Sequence, residues 1–190
     1  LLKTIEEPPN NCLIILTVNN LANLLPTITS RCRLISLTNP SKEDAKNFLE
    51  DTNNADLISR LELYNNSPLQ LISEKEMLAD ISIVLDELKK GDAVDLMKVN
   101  NIWLNNGLAW IINLLQKWSY EILLYKLSEE HTYFPDDIKV IHKLALNADL
   151  SKLLTYQKSL NTIKSYAQKS VNKEINLNSV MIEYKNIFTN

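Results

Sequence analysis

From Glu76 to the C-terminus the chain repeats its apolar positions three or four residues apart. Met77, Ile81, Val84, Leu85 and Leu88 form one stripe, ended by Gly91. Leu108, Ile111, Ile112, Leu115, Trp118, Ile122 and Tyr125 form a second, and Ile138, Ile141, Leu144 and Ala145 a third. Leu150, Leu153, Leu154, Leu160, Ile163 and Ala167 make a fourth. Leu177, Val180, Met181, Tyr184, Ile187 and Phe188 make a fifth. Each set falls on one face of an α-helix, so residues 76–190 read as an all-helical bundle. Asp92 is expected to begin the helix after Gly91. The stripes on the helices 106–127 and 150–168 leave Leu104, Trp110, Leu114 and Tyr156 off the main core face, and these are expected to form an exposed interface.

Residues 39–75 carry shorter patterns. Thr38-Asn39-Pro40 reads as a linker, and Ser41 with Asp44 has the form of a capping box. A helix to about Asp51 follows, expected to bury Ala45, Phe48 and Leu49. A second covers about Ala55–Tyr64, with Leu57, Ile58 and Leu61 on one face. Asn65-Asn66-Ser67-Pro68 breaks it and opens a third.

The first 38 residues differ again. Residues 1–7 read as the end of a helix, stopped by Pro8 and Pro9. Residues 12–18 are a continuous apolar run with β-branched members, which predicts a central strand buried on both faces. Residues 21–30 read as a short helix interrupted by Pro26, and 33–37 as another strand. Two strands do not make a stable domain alone, so a larger sheet is expected. The chain opens on Leu1, inside a helical pattern, which suggests a C-terminal portion of a longer protein.

Composition narrows the function classes. Two glycines in 190 residues leave no glycine-rich phosphate loop. A net charge of −3 provides no basic footprint for autonomous DNA binding. Cys12 and Cys32, in or beside the expected strands, and the distant His131 and His142 do not make a zinc ligand set. No signal peptide and no apolar run of membrane-spanning length are visible, so reduced cytosolic thiols and a cytoplasmic protein are expected.

The order strand, short helix ending Ser30-Arg31-Cys32, strand, preceded by Glu6-Glu7-Pro8-Pro9, resembles the second half of the nucleotide-binding domain of bacterial clamp loaders. These are AAA+ assemblies that place sliding clamps on DNA, and the nearest type is the delta prime subunit family of DNA polymerase III. Asn172–Ile182 is similar to the final collar-helix motif of that family, with Lys173 where the family usually has proline. The resemblance implies a mainly α chain in three parts. Residues 1–38 would be the tail of an AAA+ α/β domain, 39–75 a three-helix lid, and 76–190 a helical collar for oligomerisation. It implies gamma/tau and delta subunits as collar partners. The sliding clamp and primed DNA would be met through the assembled complex, with no membrane.

On that resemblance Arg31 corresponds to the trans-acting arginine finger, with Ser30 fixing the turn and Cys32 packing beneath. A planar guanidinium suits the charge that gathers on γ-phosphate oxygens during ATP cleavage. The bland alternative is a surface arginine after a helix. Asn19 falls at the sensor 1 position, although an ordinary strand exit also favours Asn. Leu69 falls where active subunits carry the sensor 2 arginine, and no Arg or Lys lies between Arg60 and Lys75. The implied role is a stator that binds no cofactor and hydrolyses no ATP itself. As a holoenzyme subunit it would belong to a DNA-directed DNA polymerase, a nucleotidyltransferase. The other classes are an ATP-hydrolysing gamma/tau-type subunit and a helical scaffold unrelated to replication.

The remaining candidates have plainer readings. Trp103, Trp110 and Trp118 suit core packing or a subunit contact better than base stacking. Asp136 and Asp137 beside Pro135 suit a helix start, where acids complement the dipole. His131 and His142 have no catalytic partner at readable spacing. Lys164, Lys169 and Lys173 read as solvated.

Overall fold

The computed structural model describes residues 2–7, 9–18, 21, 24–166 and 173–189, without the side chains of 2–3, 100–101, 103–105, 166 and 173–174. The described residues are mainly α-helical, with no strand among them. The chain divides into two compact units, Leu1–Thr38 and Asn39–Asn190.

The first unit holds two short helices, α1 (Leu2–Glu6) and α2 (Pro26–Thr29). Leu25 is extended and delivers Pro26 to the first helical position. Proline has no N–H to lose there and its φ is already helical. Pro26 therefore starts the helix rather than interrupting it, and the helix is shorter than the expected 21–30. The strands expected at 12–18 and 33–37 do not form. A strand is held by hydrogen bonds to a neighbour, and neither segment has a ladder partner among the described residues. Their side chains are open to solvent, Leu13 at 83% and Leu37 at 90%. Cys12 is correspondingly exposed and Cys32 half-buried, where both were expected at a sheet core.

The second unit begins with α3 (Lys42–Asp51). Ser41 caps it: its Oγ accepts from the Asp44 amide at 3.1 Å and donates to the Asp44 carboxylate at 2.6 Å. Ala45 and Leu49 are buried, whereas Phe48 is turned outward. The expected helix over 55–64 appears as two 3₁₀ segments, Ala55–Arg60 and Glu62–Tyr64. Left-handed asparagines bound this stretch, Asn53 before it and Asn65 and Asn66 after it. It is too short to sustain α geometry between them. Helix α4 (Pro68–Ser73) follows, then α5 (Leu78–Leu88).

Gly91 ends α5 with φ +62°, and a Cβ there would stand 3.1 Å from Leu144 Cδ2. The positive φ favours glycine, and the close Leu144 methyl leaves little room for a side chain. Asp92 lies in a single 3₁₀ turn, Gly91–Ala93, and the next helix, α6 (Leu96–Asn106), starts later than expected. Then come α7 (Leu108–Ser128), α8 (Ile138–Asn147), α9 (Leu150–Tyr166) and α10 (Lys173–Asn186).

Helix α7 is the hub, packed against α6, α8 and α9, while α10 lies on α9 and α6. The stripes 81/84/85/88, 108/111/112/115/118/122, 141/144/145 and 177/180/181/184/187 are buried as expected. Leu114 and Tyr156, expected outside, are buried, and Trp110 is half-buried against the core. A helix packed on several sides buries more than one stripe, which brings in Leu114. Tyr156 meets the Tyr184 ring at 5.9 Å because α9 touches α10 as well as α7. On α9, Leu150 and Leu154 are exposed instead, at 37% and 44%. The side chain of Leu104 lies outside the described residues. A single core runs from Ala45 to Ile187, through both the 39–75 and 76–190 segments.

Several polar groups inside this core are hydrogen-bonded across helices, whereas the buried Tyr156 hydroxyl has no partner among the described residues. The Trp118 indole donates to Tyr184 OH at 2.9 Å, and that hydroxyl donates to the Leu88 carbonyl at 2.7 Å. Glu121, fully buried on α7, accepts from the amides of Thr132, Tyr133 and Phe134. Lys117, one turn earlier, donates to the Leu63 carbonyl and sits over the rings of Tyr64 and Tyr133.

Glu87 is buried at the end of α5, with Lys90 Nζ at 2.7 Å, the Asp95 amide at 3.2 Å and Lys98 Nζ at 3.5 Å. The Lys90 hydrogen bond leads in holding its carboxyl below the usual range, against the cost of burial. Its folded pKa is depressed, so its contribution is present above the unfolded glutamate value of about 4.3. That contribution is lost as pH falls through the lowered folded value. Glu87→Gln is therefore expected to flatten the acid limb of stability in urea melts from about pH 7 to about pH 3. An acid limb identical to wild type would contradict this.

Candidate functional site

The candidate site is built on the last turn of α2. The Ile28 and Thr29 amides bond back to Leu25 O, and the Ser30 amide to Pro26 O. Ile28 is buried, Thr29 is half-buried, and Ser30 and Arg31 are exposed. Thr29 Oγ1 and Ser30 Oγ donate to the carbonyls of Pro26 and Thr27, at 3.0 and 3.2 Å. The Pro26 carbonyl thus accepts a second bond beside the one from the Ser30 amide. The Thr27 carbonyl, which has no backbone partner among the described residues in so short a helix, is satisfied by side chains.

Arg31 follows directly. Its Nη1 donates to the Thr27 carbonyl at 3.0 Å and lies 3.4 Å from Ser30 Oγ. Its Nη2 meets Glu6 Oε1, at the end of α1, at 2.9 Å. The arginine and glutamate side chains are 40% and 44% exposed. The guanidinium is thus anchored along one edge and open to solvent elsewhere. Ser30 Oγ lies near Arg31 as well as bonding its own turn, and Cys32 is half-buried.

The sequence reading missed Glu6 as a partner of Arg31. No local spacing marks the pair, because 24 residues separate Glu6 from Arg31 along the chain.

Residues 1–41 match the family model described as DNA polymerase III, delta subunit. The matched stretch contains α1, α2, Glu6 and Arg31, and ends at the cap of α3. It supports a clamp-loader-type subunit of DNA polymerase III. Residues 42–190 lie outside the match, and no curated protein matches the chain.

The other candidates distribute as follows. Asn19 lies outside the described residues. Leu69 is 69% exposed on α4 and presents no cation. Trp118 is a core residue, edge-on to Phe134 at 5.2 Å, and Trp110 packs partly against the core; neither offers a free stacking face. The Trp103 side chain lies outside the described residues. Asp136 and Asp137 form the 3₁₀ turn that leads into α8, and Asp137 also pairs with Lys89 at 2.9 Å.

His131 is exposed in a loop, and His142 is exposed with its ring 5.5 Å from Tyr125. No group of metal-ligating side chains occurs among the described residues. Lys164 donates to Gln116 Oε1 at 2.9 Å, so it is tied rather than simply solvated. Lys169, and the side chain of Lys173, lie outside the described residues.

An open cleft of about 410 Å³ lies between Lys89, Lys90, Gly91, Lys143 and Phe188. Its lysines are largely neutralised, Lys89 by Asp86 and Asp137 and Lys90 by Glu87. Among the described residues no helix is long and apolar enough to cross a membrane.

Proposed function

We propose that the chain is a delta prime-type stator of the bacterial clamp loader and lends Arg31 to the ATP site of a neighbouring gamma/tau-type subunit. The observation that carries this reading is the Arg31 guanidinium, held by the Thr27 carbonyl at the end of a short helix and by an exposed ion pair with Glu6, with its side chain 40% exposed. It lies within the stretch similar to the delta-subunit family. A cation held at the end of a helix is suited to a phosphate presented by another subunit.

On this reading residues 1–38 are part of an AAA+ α/β domain, whose further strands would cover the exposed apolar segments at 12–18 and 33–37. Residues 39–75 act as the lid and 76–190 as the collar, in contact with gamma/tau and delta subunits. The chain binds no nucleotide itself, because Leu69 stands where a phosphate-sensing arginine is needed. It meets the sliding clamp and primed DNA within the assembly, in the cytoplasm. It contributes to the polymerase holoenzyme, a nucleotidyltransferase, without turning over substrate alone.

Reconstitution tests this. Adding the protein to gamma-type and delta subunits, clamp and primed DNA is expected to raise DNA-stimulated ATP turnover, while calorimetry of the protein alone with Mg-ATP shows no heat. Unchanged turnover would overturn the clamp-loader reading. Micromolar ATP binding by the isolated protein would turn it toward an ATP-hydrolysing subunit.

A further inference from the structure

We propose that Glu6 is a positioning residue for Arg31, holding the guanidinium in a docked, charge-neutralised state from which an incoming phosphate must displace it. The inference rests on the reading of Arg31 as a trans-acting group. Three contacts define the docked state. Nη1 is occupied by the Thr27 carbonyl and approached by Ser30 Oγ, both from α2 and its end. Nη2 is occupied by Glu6 Oε1, from the other helix of the unit.

The two sets of contacts differ in kind. Thr27 and Ser30 are neutral, local acceptors that fix the direction in which the side chain leaves the turn. Glu6 is an anion, and it occupies the type of N–H edge that a phosphate oxygen would use. A guanidinium presents its donors in a planar fork, so a carboxylate on Nη2 and a phosphate on the same edge exclude one another. Two anions on one cation would also repel. The Glu6–Arg31 pair must therefore open, at least on Nη2, when phosphate arrives.

The pair is suited to opening. Both side chains are near half exposure, and exposed ion pairs contribute little net stability. A phosphate with a higher charge and several acceptor oxygens outcompetes one carboxylate. Without it, Glu6 keeps Arg31 from sampling rotamers that point away from the interface. Glu6 thus sets the nucleotide occupancy at which Arg31 engages, while the chemistry remains with Arg31.

The test is DNA-stimulated ATPase of the reconstituted clamp loader, with ATP titrated against complexes carrying variants of this protein. Glu6→Gln keeps an oxygen able to accept from Nη2 and removes the charge. It is expected to lower the apparent KM for ATP by about two- to fivefold, the scale of an exposed pair, with kcat retained. Glu6→Asp is expected to restore wild-type behaviour. In the Arg31→Ala background Glu6→Gln is expected to have no further effect, because its route runs through Arg31.

A Glu6→Gln complex with unchanged or raised KM, beside an impaired Arg31→Ala complex, would overturn the role of Glu6 and leave that of Arg31 standing. Wild-type turnover with Arg31→Ala would instead remove the reading beneath it. A Glu6→Gln effect that persists in the Arg31→Ala background would show that Glu6 acts elsewhere. Glu6 is exposed and fills no core space, so these variants fold.

Discussion

Arg31→Ala is expected to cut ATP turnover at the neighbouring subunit's site by about 10³–10⁵, the range that trans-acting arginines supply in phosphoryl transfer. The folded state has little at stake. The side chain is 40% exposed, and its contacts are one exposed ion pair and two bonds to its own turn. Removing it should change stability by no more than about 0.5 kcal/mol, as for ordinary surface positions, and assembly of the complex should survive. Turnover summed over the complex falls less than at the one site, because other sites keep their own arginines. Arg31→Lys should be impaired too. An ammonium cannot keep the Thr27 carbonyl on one edge while offering a planar pair of donors on the other. Single-turnover ATPase on primed DNA decides the matter. Wild-type rates with Arg31→Ala, in a complex of normal composition, would refute the proposed role.

Glu121→Ala is expected to produce the largest loss of stability in residues 39–190, about 3–5 kcal/mol. The carboxylate is fully buried and accepts from three successive amides, the shortest at 2.7 Å to Thr132. Truncation leaves those donors facing a void. Each unpaired buried donor costs about 1–3 kcal/mol, discounted here because Thr132 lies at the surface and can rehydrate. Phe134 is buried edge-on to Trp118, so loosening the 132–134 segment also disturbs the aromatic centre of the core. Glu121→Gln should fall in between, since it keeps one acceptor and turns an NH₂ toward donors. Urea melts measure the difference. A midpoint shift equivalent to less than about 1 kcal/mol for Glu121→Ala would mean that the amides find other partners.

The helical part of this fold was legible because its signal is local. Spacings of three and four in α5, α7, α8 and α10 name their buried residues directly, and Ser41 with Asp44 announces the start of α3. What escaped depends on neighbours. Leu114 and Tyr156 look peripheral on a single helix and are buried because α7 and α9 each pack on more than one side. Leu150 and Leu154 fit the apolar period of α9 yet face outward, since period alone does not say which arc meets a partner. The runs at 12–18 and 33–37 have the composition of buried strands, but strand formation needs a second strand, which local composition does not supply. In the candidate site, Ser30-Arg31-Cys32 and its context single out Arg31 only as a candidate. Its partner Glu6 was not legible, because pairing across 24 intervening positions is a property of the folded unit.

Lys117 and Glu121 stand one turn apart on α7, the spacing at which opposite charges usually pair with each other. Here each reaches elsewhere, Lys117 to the Leu63 carbonyl and Glu121 to the amides of 132–134. Burial lowers the Lys117 pKa, so its grip on Leu63 is that of a poorly hydrated cation with few alternative partners. Leu57, Leu61, Leu63 and Tyr64 also lie in the same core. One turn of α7 thus fastens two separate segments, the 3₁₀ stretch through Leu63 and the 132–134 loop through its amides, so a single substitution in that turn loosens a contact far away in sequence.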